Sequence, residues 1–464
     1  MFACHGRPYV GRWRPMTRRT EVTAKQLKAR IAELRATRDS LIRRPVEEIV
    51  EVLGSVGERF LEDSDPIRKR ALAALPEEAR LSSAMAAEVL DGMARDWSRN
   101  QLKRTVRAEF GDPAALDGFQ SVQGRSIAGI GSRLCVQVVS GSVPGVGVNA
   151  LIRSLLVKSP TLLKPGFGDT LLPRLFVEAL AEVDSDLTDS VAIVEWRGGS
   201  EILERIALSA AEVAVVYGSD ETVAALRALA PPTTRVLGYH HRVAACVIGR
   251  DLETAEIESV SDQVARAIAM FEQRGCVCPH VVYVEDPVDG GTGLGVSAEK
   301  FAESLARSLR ALEEVLPAVP LELEEGGSLQ QLRGAAEMHA ASGEGYLHHG
   351  GAQSSWTVIG EGATQLGPPT AHRGVRVRRM ADIGELGRAI GPLSSHLQTI
   401  GHAGLGDRLE SVALMLGRLG ASRIVPIQDM SFPPPWWLHD GRGPLRDLVR
   451  WTEIEDSSQL ELNR

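Results

Sequence analysis

Between residues 134 and 247, short apolar runs alternate with amphipathic stretches long enough to be helices, and this alternation constrains the fold more than any other feature of the chain. The runs are 135–139, 161–163, 192–195, 213–217 and 244–248. A strand followed by a helix returns to its sheet by crossing over it, so the pattern predicts parallel βαβ units with helices on the sheet faces. Ligands of such sheets lie beyond the carboxyl ends of the strands. The segments found there are SGSVPG (140–145), LKPG (163–166), EWRGGS (195–200) and YGSD (217–220).

A second α/β unit begins after Asp251. Val260, Val264, Ile268 and Phe271 recur at helical steps and predict a helix over 257–273, which Gly275 ends; Val281, Val282, Tyr283 and Val284 read as a strand. Cys276 falls on the turn between them, next to a permissive glycine, with Pro279 stiffening the exit. A thiolate presented there is a strong nucleophile if its surroundings favour ionisation. A buried structural cysteine is the commoner meaning of such a residue taken alone; the upstream segments turn the reading towards catalysis. Cys278 and His280 lie close by but lack the second pair of ligands a closed zinc site needs, so no metal is expected.

At 464 residues and 44% hydrophobic content, two or three domains are expected. Leu27, Ile31 and Leu34, then Ile49, Leu53 and Phe60, then Met85, Val89, Leu90 and Met93 recur at helix spacing and predict a helical N-terminal layer. The organisation read from these patterns has five parts. Residues 1–20, with five arginines and no acid, are a disordered extension in which Met16 is a candidate start; 21–110 are the helical layer; 111–250 the cofactor-binding domain; 251–425 the cysteine domain, with a Gly-rich, low-signal region over 326–374; and 426–464 a segment returning to the first domain or to a second subunit. Net charge is −8 with both signs interspersed, which offers no basic stripe for nucleic acid. No stretch reaches 18 uninterrupted apolar residues, so no membrane span is expected. Five scattered cysteines argue against a disulfide framework and for a reducing compartment, the cytoplasm.

VVSGSVPGVGVNALIRSLLVKSPTLLKP (138–165), VVYGSDET (215–222) and QRGCVCP (273–279) occur in the order and at the spacing of the aldehyde dehydrogenase superfamily. Within it the chain most resembles the long-chain acyl-CoA (acyl-protein thioester) reductase family of bacterial luminescence, from about residue 43 to residue 455, including the tail GASRIVPIQDM…HDGRGPLRDLVRW. The resemblance implies an aldehyde dehydrogenase-like α/β fold of two Rossmann-like parallel-sheet domains with the helical layer at the N-terminus. It also implies NADPH-dependent reduction of a fatty acyl-CoA or acyl-protein thioester to the aldehyde, through a thioacyl intermediate on Cys276.

Lys164 takes the role of the lysine that holds the adenosine ribose, a plausible one in a chain with only seven lysines. Gly198, Gly199, Gly218 and Ser219 each follow a strand and open a helical segment, where backbone N–H groups can face a pyrophosphate. Pro144 belongs to the turn beside the cofactor. Ser142 stands where relatives carry the Asn that donates to the oxyanion; its hydroxyl still donates, with shorter reach. Relatives that hydrolyse the intermediate carry a glutamate in a segment matching residues 237–243, here LGYHHRV and free of carboxylates, so hydrolysis should be slow and the intermediate should await hydride. His240 is the candidate acid–base group, since histidine titrates near neutrality. His348, His349, His439 and Asp440 are polar candidates with no sequence tie to the cleft, and PPPWW (433–437) reads as a packing segment. The family further implies a homo-oligomer and an acyltransferase or synthetase partner that hands over acyl groups. A CoA-acylating aldehyde or semialdehyde dehydrogenase would share every motif, and a non-catalytic scaffold on the same fold would retain most of them.

Overall fold

A computed structural model of the chain describes residues 21–122, 125–286, 296–351, 354–361 and 372–455. The N-terminal extension lies outside the described residues.

The chain enters through helices Ala24–Ala36, Val46–Arg59, Pro66–Ala79, Ser83–Asp96 and Arg99–Phe110. Local chemistry sets where they start: Thr23 and Gln26 form a reciprocal capping box, Asp65 caps a helix that opens with proline, and the Ser82 hydroxyl accepts from the Met85 N–H. All ten apolar residues named above for this region are buried. Strands β1 (Gln120–Val122) and β2 (Arg125–Gly131) then form an antiparallel hairpin.

β3 (Cys135–Val138), β4 (Thr161–Lys164), β5 (Val191–Ile193), β6 (Val213–Tyr217) and β7 (Arg235–Tyr239) make a wholly parallel sheet in the order β5-β4-β3-β6-β7. Val136, Val138, Ala214 and Val216 pack on one face with Leu27, Ile31 and Leu34. Cys135, Val213, Val215 and Leu237 pack on the other with the core of the helical layer. Burial on both faces is what a parallel sheet requires, and it explains why its strands read as unbroken apolar runs.

A second sheet takes β8 (Val243–Ile248), β9 (Pro279–Glu285), β10 (Gly345–His349), β11 (Thr357–Glu361), β12 (Gly374–Met380), β13 (Leu397–Ala403) and β14 (Arg423–Pro426), in the order β10-β11-β12-β9-β8-β13-β14. Only the β10–β11 pair is antiparallel. β8, grouped with the first unit from sequence, is thus a central strand of the second: the chain crosses between sheets in the three residues 240–242. The C-terminal strand β15 (Val449–Ile454) returns to pair with β2, giving a three-stranded sheet β1-β2-β15. Among the described residues no helix is long and apolar enough to cross a membrane.

The carboxyl ends of β3, β6 and β7 therefore face the amino ends of β8, β9 and β13, and the candidate site lies in the gap.

Candidate active site

The helix predicted to run to residue 273 ends at Ala269. Phe271, Glu272 and Gln273 follow in the left-handed region, with φ of 55°, 52° and 60°, a conformation that costs about 1–2 kcal/mol for each L-residue. Side-chain bonds hold the turn in place. Gln273 Nε2 donates to the Pro279 and Gly374 carbonyls at 3.0 and 2.7 Å, its Oε1 accepts from the Gly374 N–H at 3.1 Å, and Arg373 binds the Glu272 carboxylate with two nitrogens at 2.8 and 3.1 Å. Gly275 is favoured by space: a Cβ there would lie 3.0 Å from the Phe271 ring and 3.2 Å from the Cys278 sulfur, so these buried neighbours would have to give way by a few tenths of an ångström. The result presents Cys276, half-buried, to a cavity of about 1020 Å³.

Burial pushes the Cys276 thiol up to about 11, and the nearby Asp440 carboxylate adds to the rise; hydrogen bonding from Gln398 and the charge of Arg242 oppose it. These groups are linked. Fully buried Gln398 donates to Asp440 Oδ1 at 2.6 Å, while Arg242 Nε donates to Oδ2 at 2.9 Å. Beside them stands an aromatic column: Tyr217 stacks on Tyr239 at 4.7 Å, Tyr239 on His439 at 4.4 Å, and His439 on Trp437 at 4.5 Å. Burial drives His439 down to about 3, so the column carries a neutral imidazole at working pH. Arg153 approaches the Tyr217 hydroxyl at 3.4 Å, and burial raises Asp96, on the same wall, to about 7.

Of the residues singled out in the sequence, Cys276, Ser142, His240, Gly218 and Ser219 all line this cavity. The Ser142 hydroxyl lies 3.2 Å from that of Ser140. Pro144 is buried behind it, in a turn whose Gly145 has φ +94° and whose Gly145 and Gly147 N–H groups both donate to Asp169, at 2.8 and 2.6 Å. Lys164, Gly198 and Gly199 lie along the same sheet edge, outside the cavity lining. Burial lowers the Lys164 pKa, and Glu204 and Glu195 nearby oppose that shift.

For a dinucleotide this edge fits in part. Lys164 offers a cation at the end of β4, and a Cβ at Gly198 or Gly199 would meet nothing, so backbone is open to a ligand there. The helix starts are already engaged. Gly199 N–H donates to Glu204 at 2.8 Å, the Ser219 hydroxyl accepts from the Thr222 N–H at 3.3 Å, and Asp220 and Glu221 put negative charge in the first turn. A pyrophosphate seated on either helix N-terminus, as expected from the glycines, would have to displace these bonds.

Asp440 and His439, polar candidates with no sequence tie to the cleft, are brought to it by the fold, whereas nothing in the sequence marks Gln398, Tyr217, Tyr239 or Arg153 as site residues. Nor does the sequence place Pro433, Pro435 and Trp437, read as packing, in the cavity wall. Met93, Phe271, Val277 and Phe432 with Val319, Leu321, Leu329 and Leu332 give that wall a large apolar share. Cys278 is buried, its sulfur 3.2 Å from the Met270 carbonyl.

Residues 41–451 match the family model described as acyl-CoA reductase (LuxC). The long-chain acyl-protein thioester reductase of Aliivibrio fischeri is 22% identical over 418 residues, covering 88% of this chain and 82% of that protein. That of Photobacterium phosphoreum is 20% identical over 420 residues, covering 88% and 81%. Among solved structures, the bifunctional proline utilization A protein superposes with a TM-score of 0.73 at 16% identity, over 96% of this chain and 45% of that longer one. An NAD-dependent benzaldehyde dehydrogenase from Corynebacterium glutamicum superposes with a TM-score of 0.69 at 11% identity, over 94% and 91%. The fold is that of the aldehyde dehydrogenases.

Proposed function

Because this chain belongs to the acyl-CoA reductase (LuxC) family of oxidoreductases, we propose that it reduces a long-chain fatty acyl thioester, carried on CoA or on a protein, to the aldehyde, with Cys276 as the nucleophile and NADPH as the reductant. The observation that carries this reading is the presentation of Cys276, on a turn held by side-chain bonds, to a cavity with a large apolar share between the five-stranded and seven-stranded sheets.

In the proposed mechanism the Cys276 thiol gives its proton to His240, which lines the same cavity, and attacks the thioester carbonyl. The Ser142 hydroxyl donates to the oxyanion. The bond to the departing sulfur breaks, that thiolate takes the proton back from His240, and a thioacyl group remains on Cys276. When bound, the reduced nicotinamide supplies hydride to this acyl carbon. The Cys276–carbon bond then breaks as the alkoxide collapses, releasing the aldehyde and leaving Cys276 as the thiolate, which takes a proton from solvent to restore the thiol. Asp440 is the carboxylate that influences Cys276, and both of its oxygens are engaged by Gln398 and Arg242, which supports slow hydrolysis of the intermediate. Lys164 is assigned to the adenosine ribose, and the exposed Arg197 beside Gly198 adds a second cation suited to a 2′-phosphate. Gly198, Gly199, Gly218 and Ser219 complete the cofactor edge, with Pro144 shaping the turn beside it.

A second copy of the chain is proposed to pair along β15, an edge strand whose residues from Arg450 to Ile454 are exposed. An acyltransferase or synthetase that delivers acyl groups is proposed as a further partner.

The test is NADPH consumption with tetradecanoyl-CoA, with aldehyde measured in the same reaction. Wild type should consume NADPH faster than NADH and form one aldehyde per NADPH, and Cys276→Ala should fall to background. Turnover that survives Cys276→Ala would overturn the reading.

A further inference from the structure

His240, Asp220 and His396 converge at the junction of the two sheet domains, and each offers one ligand atom lying within 4.8 Å of the other two. His240 follows β7, Asp220 opens the helix after β6, and His396 precedes β13 of the second sheet. His240 Nδ1 is 3.3 Å from Asp220 Oδ1, and His396 Nε2 is 3.7 Å from Asp220 Oδ2. A tetrahedral zinc ion with bonds of about 2.0–2.2 Å holds its ligand atoms about 3.3–3.5 Å apart; each histidine already stands near that distance from an Asp220 oxygen, and a side-chain adjustment of about 1 Å or less closes the remaining spacing.

The surroundings prepare these atoms as ligands. His396 Nδ1 lies 3.1 Å from the His241 carbonyl, and a carbonyl can only accept, so Nδ1 carries a proton and Nε2, on the Asp220 side, is the nitrogen left to bind a metal. The His241 N–H donates to Asp220 Oδ1 at 3.2 Å and orients the carboxylate. His240 Nδ1 is buried and, with Asp220 Oδ1 3.3 Å away, forms no aligned hydrogen bond, which leaves it open to coordinate a cation held between the two groups. Two imidazole nitrogens and one carboxylate oxygen are a ligand set for a borderline ion such as zinc, with a water completing the shell.

We propose that His240, Asp220 and His396 form a zinc site that clasps the two domains across the crossover between β7 and β8. The sequence hides it: the three ligands are spread over 176 positions (396 − 220) and share no motif. The proposal stands on ligand geometry and does not depend on the catalytic reading. Where both hold, zinc occupancy withdraws His240 from proton transfer.

The test titrates zinc into chelator-stripped full-length protein against a chromogenic competitor, reads melting temperature in parallel, and repeats the titration with cobalt. One zinc per chain is expected, with a higher melting temperature and a cobalt spectrum of visible d–d bands without thiolate charge transfer. His396→Gln and Asp220→Asn should each weaken binding by at least about tenfold, whereas Cys276→Ser should leave it unchanged. Circular dichroism checks the fold of each variant, and Asp220→Asn sits on an exposed helix start where folding is not at stake. Less than one zinc per chain, full binding by either ligand variant, or binding lost in Cys276→Ser would overturn the proposal. None of these readouts requires turnover.

Discussion

A thiol pushed up to about 11 is almost wholly protonated at neutral pH, and below that value its thiolate fraction grows about tenfold for each unit by which the pH rises. Alkylation of Cys276 by iodoacetamide should therefore climb by about that factor per unit from pH 7 to 9 with no plateau. Two substitutions should move it in opposite directions. Asp440→Asn removes a charge that disfavours the thiolate, so alkylation at fixed pH should accelerate; Gln398→Ala removes a hydrogen bond that favours it, so alkylation should slow. Equal signs for the two variants, or a plateau at neutral pH, would contradict this account of the site. At this scale the sequence disclosed the nucleophile and concealed its regulators. Cys276 announces itself by standing on a turn beside Gly275, but Gln398 and Asp440 reach it from 122 and 164 positions away (398 − 276 and 440 − 276), and no local pattern encodes such an approach.

Backbone strain at the cysteine belongs to the next scale. Three consecutive left-handed residues persist because Gln273 and Glu272 tie the turn to Pro279, Arg373 and Gly374. Gln273→Ala deletes three buried hydrogen bonds and should lower unfolding free energy by about 2–4 kcal/mol, read from the denaturation midpoint. Acylation of Cys276 should slow in the folded fraction, since the turn is then free to relax; an unchanged midpoint would show that the strain is held elsewhere. The sequence did not foretell this turn, because Phe271 continues the apolar period of the preceding helix and a side-chain pattern is blind to the sign of φ. The strands of the first sheet were legible for the opposite reason: a parallel sheet buried on both faces leaves continuous apolar runs. Helix Leu323–Ala341 leaves little signal in the sequence, because Gly326, Gly327 and Gly334 interrupt it and only Glu325, Leu329, Arg333 and Ala336 are buried. The sheet that β8 joins is fixed by strand pairing rather than by its own residues, and so its domain was misassigned.

Across the whole molecule, the cavity is closed by parts that meet from distant regions of the chain. Arg80, at the left-handed end of helix Pro66–Ala79, reaches Glu322 at 3.3 Å and Glu325 at 3.2 Å, joining the helical layer to the helix of the cysteine domain that carries Leu329 and Leu332. The Arg80 and Glu325 side chains are only 22% and 11% exposed, so water screens this pair less than an open surface bridge. Arg80→Asn removes the cation while keeping a residue that tolerates the left-handed backbone. Its effect should depend on probe size. A small alkylating agent that already reaches Cys276 should react at the wild-type rate, whereas a bulky maleimide should react several-fold faster once helix Leu323–Ala341 can swing from the wall. Equal acceleration of both reagents would place the effect on the thiol's ionisation, and acceleration of neither would mean that apolar packing by Leu329 and Leu332 alone holds the wall shut.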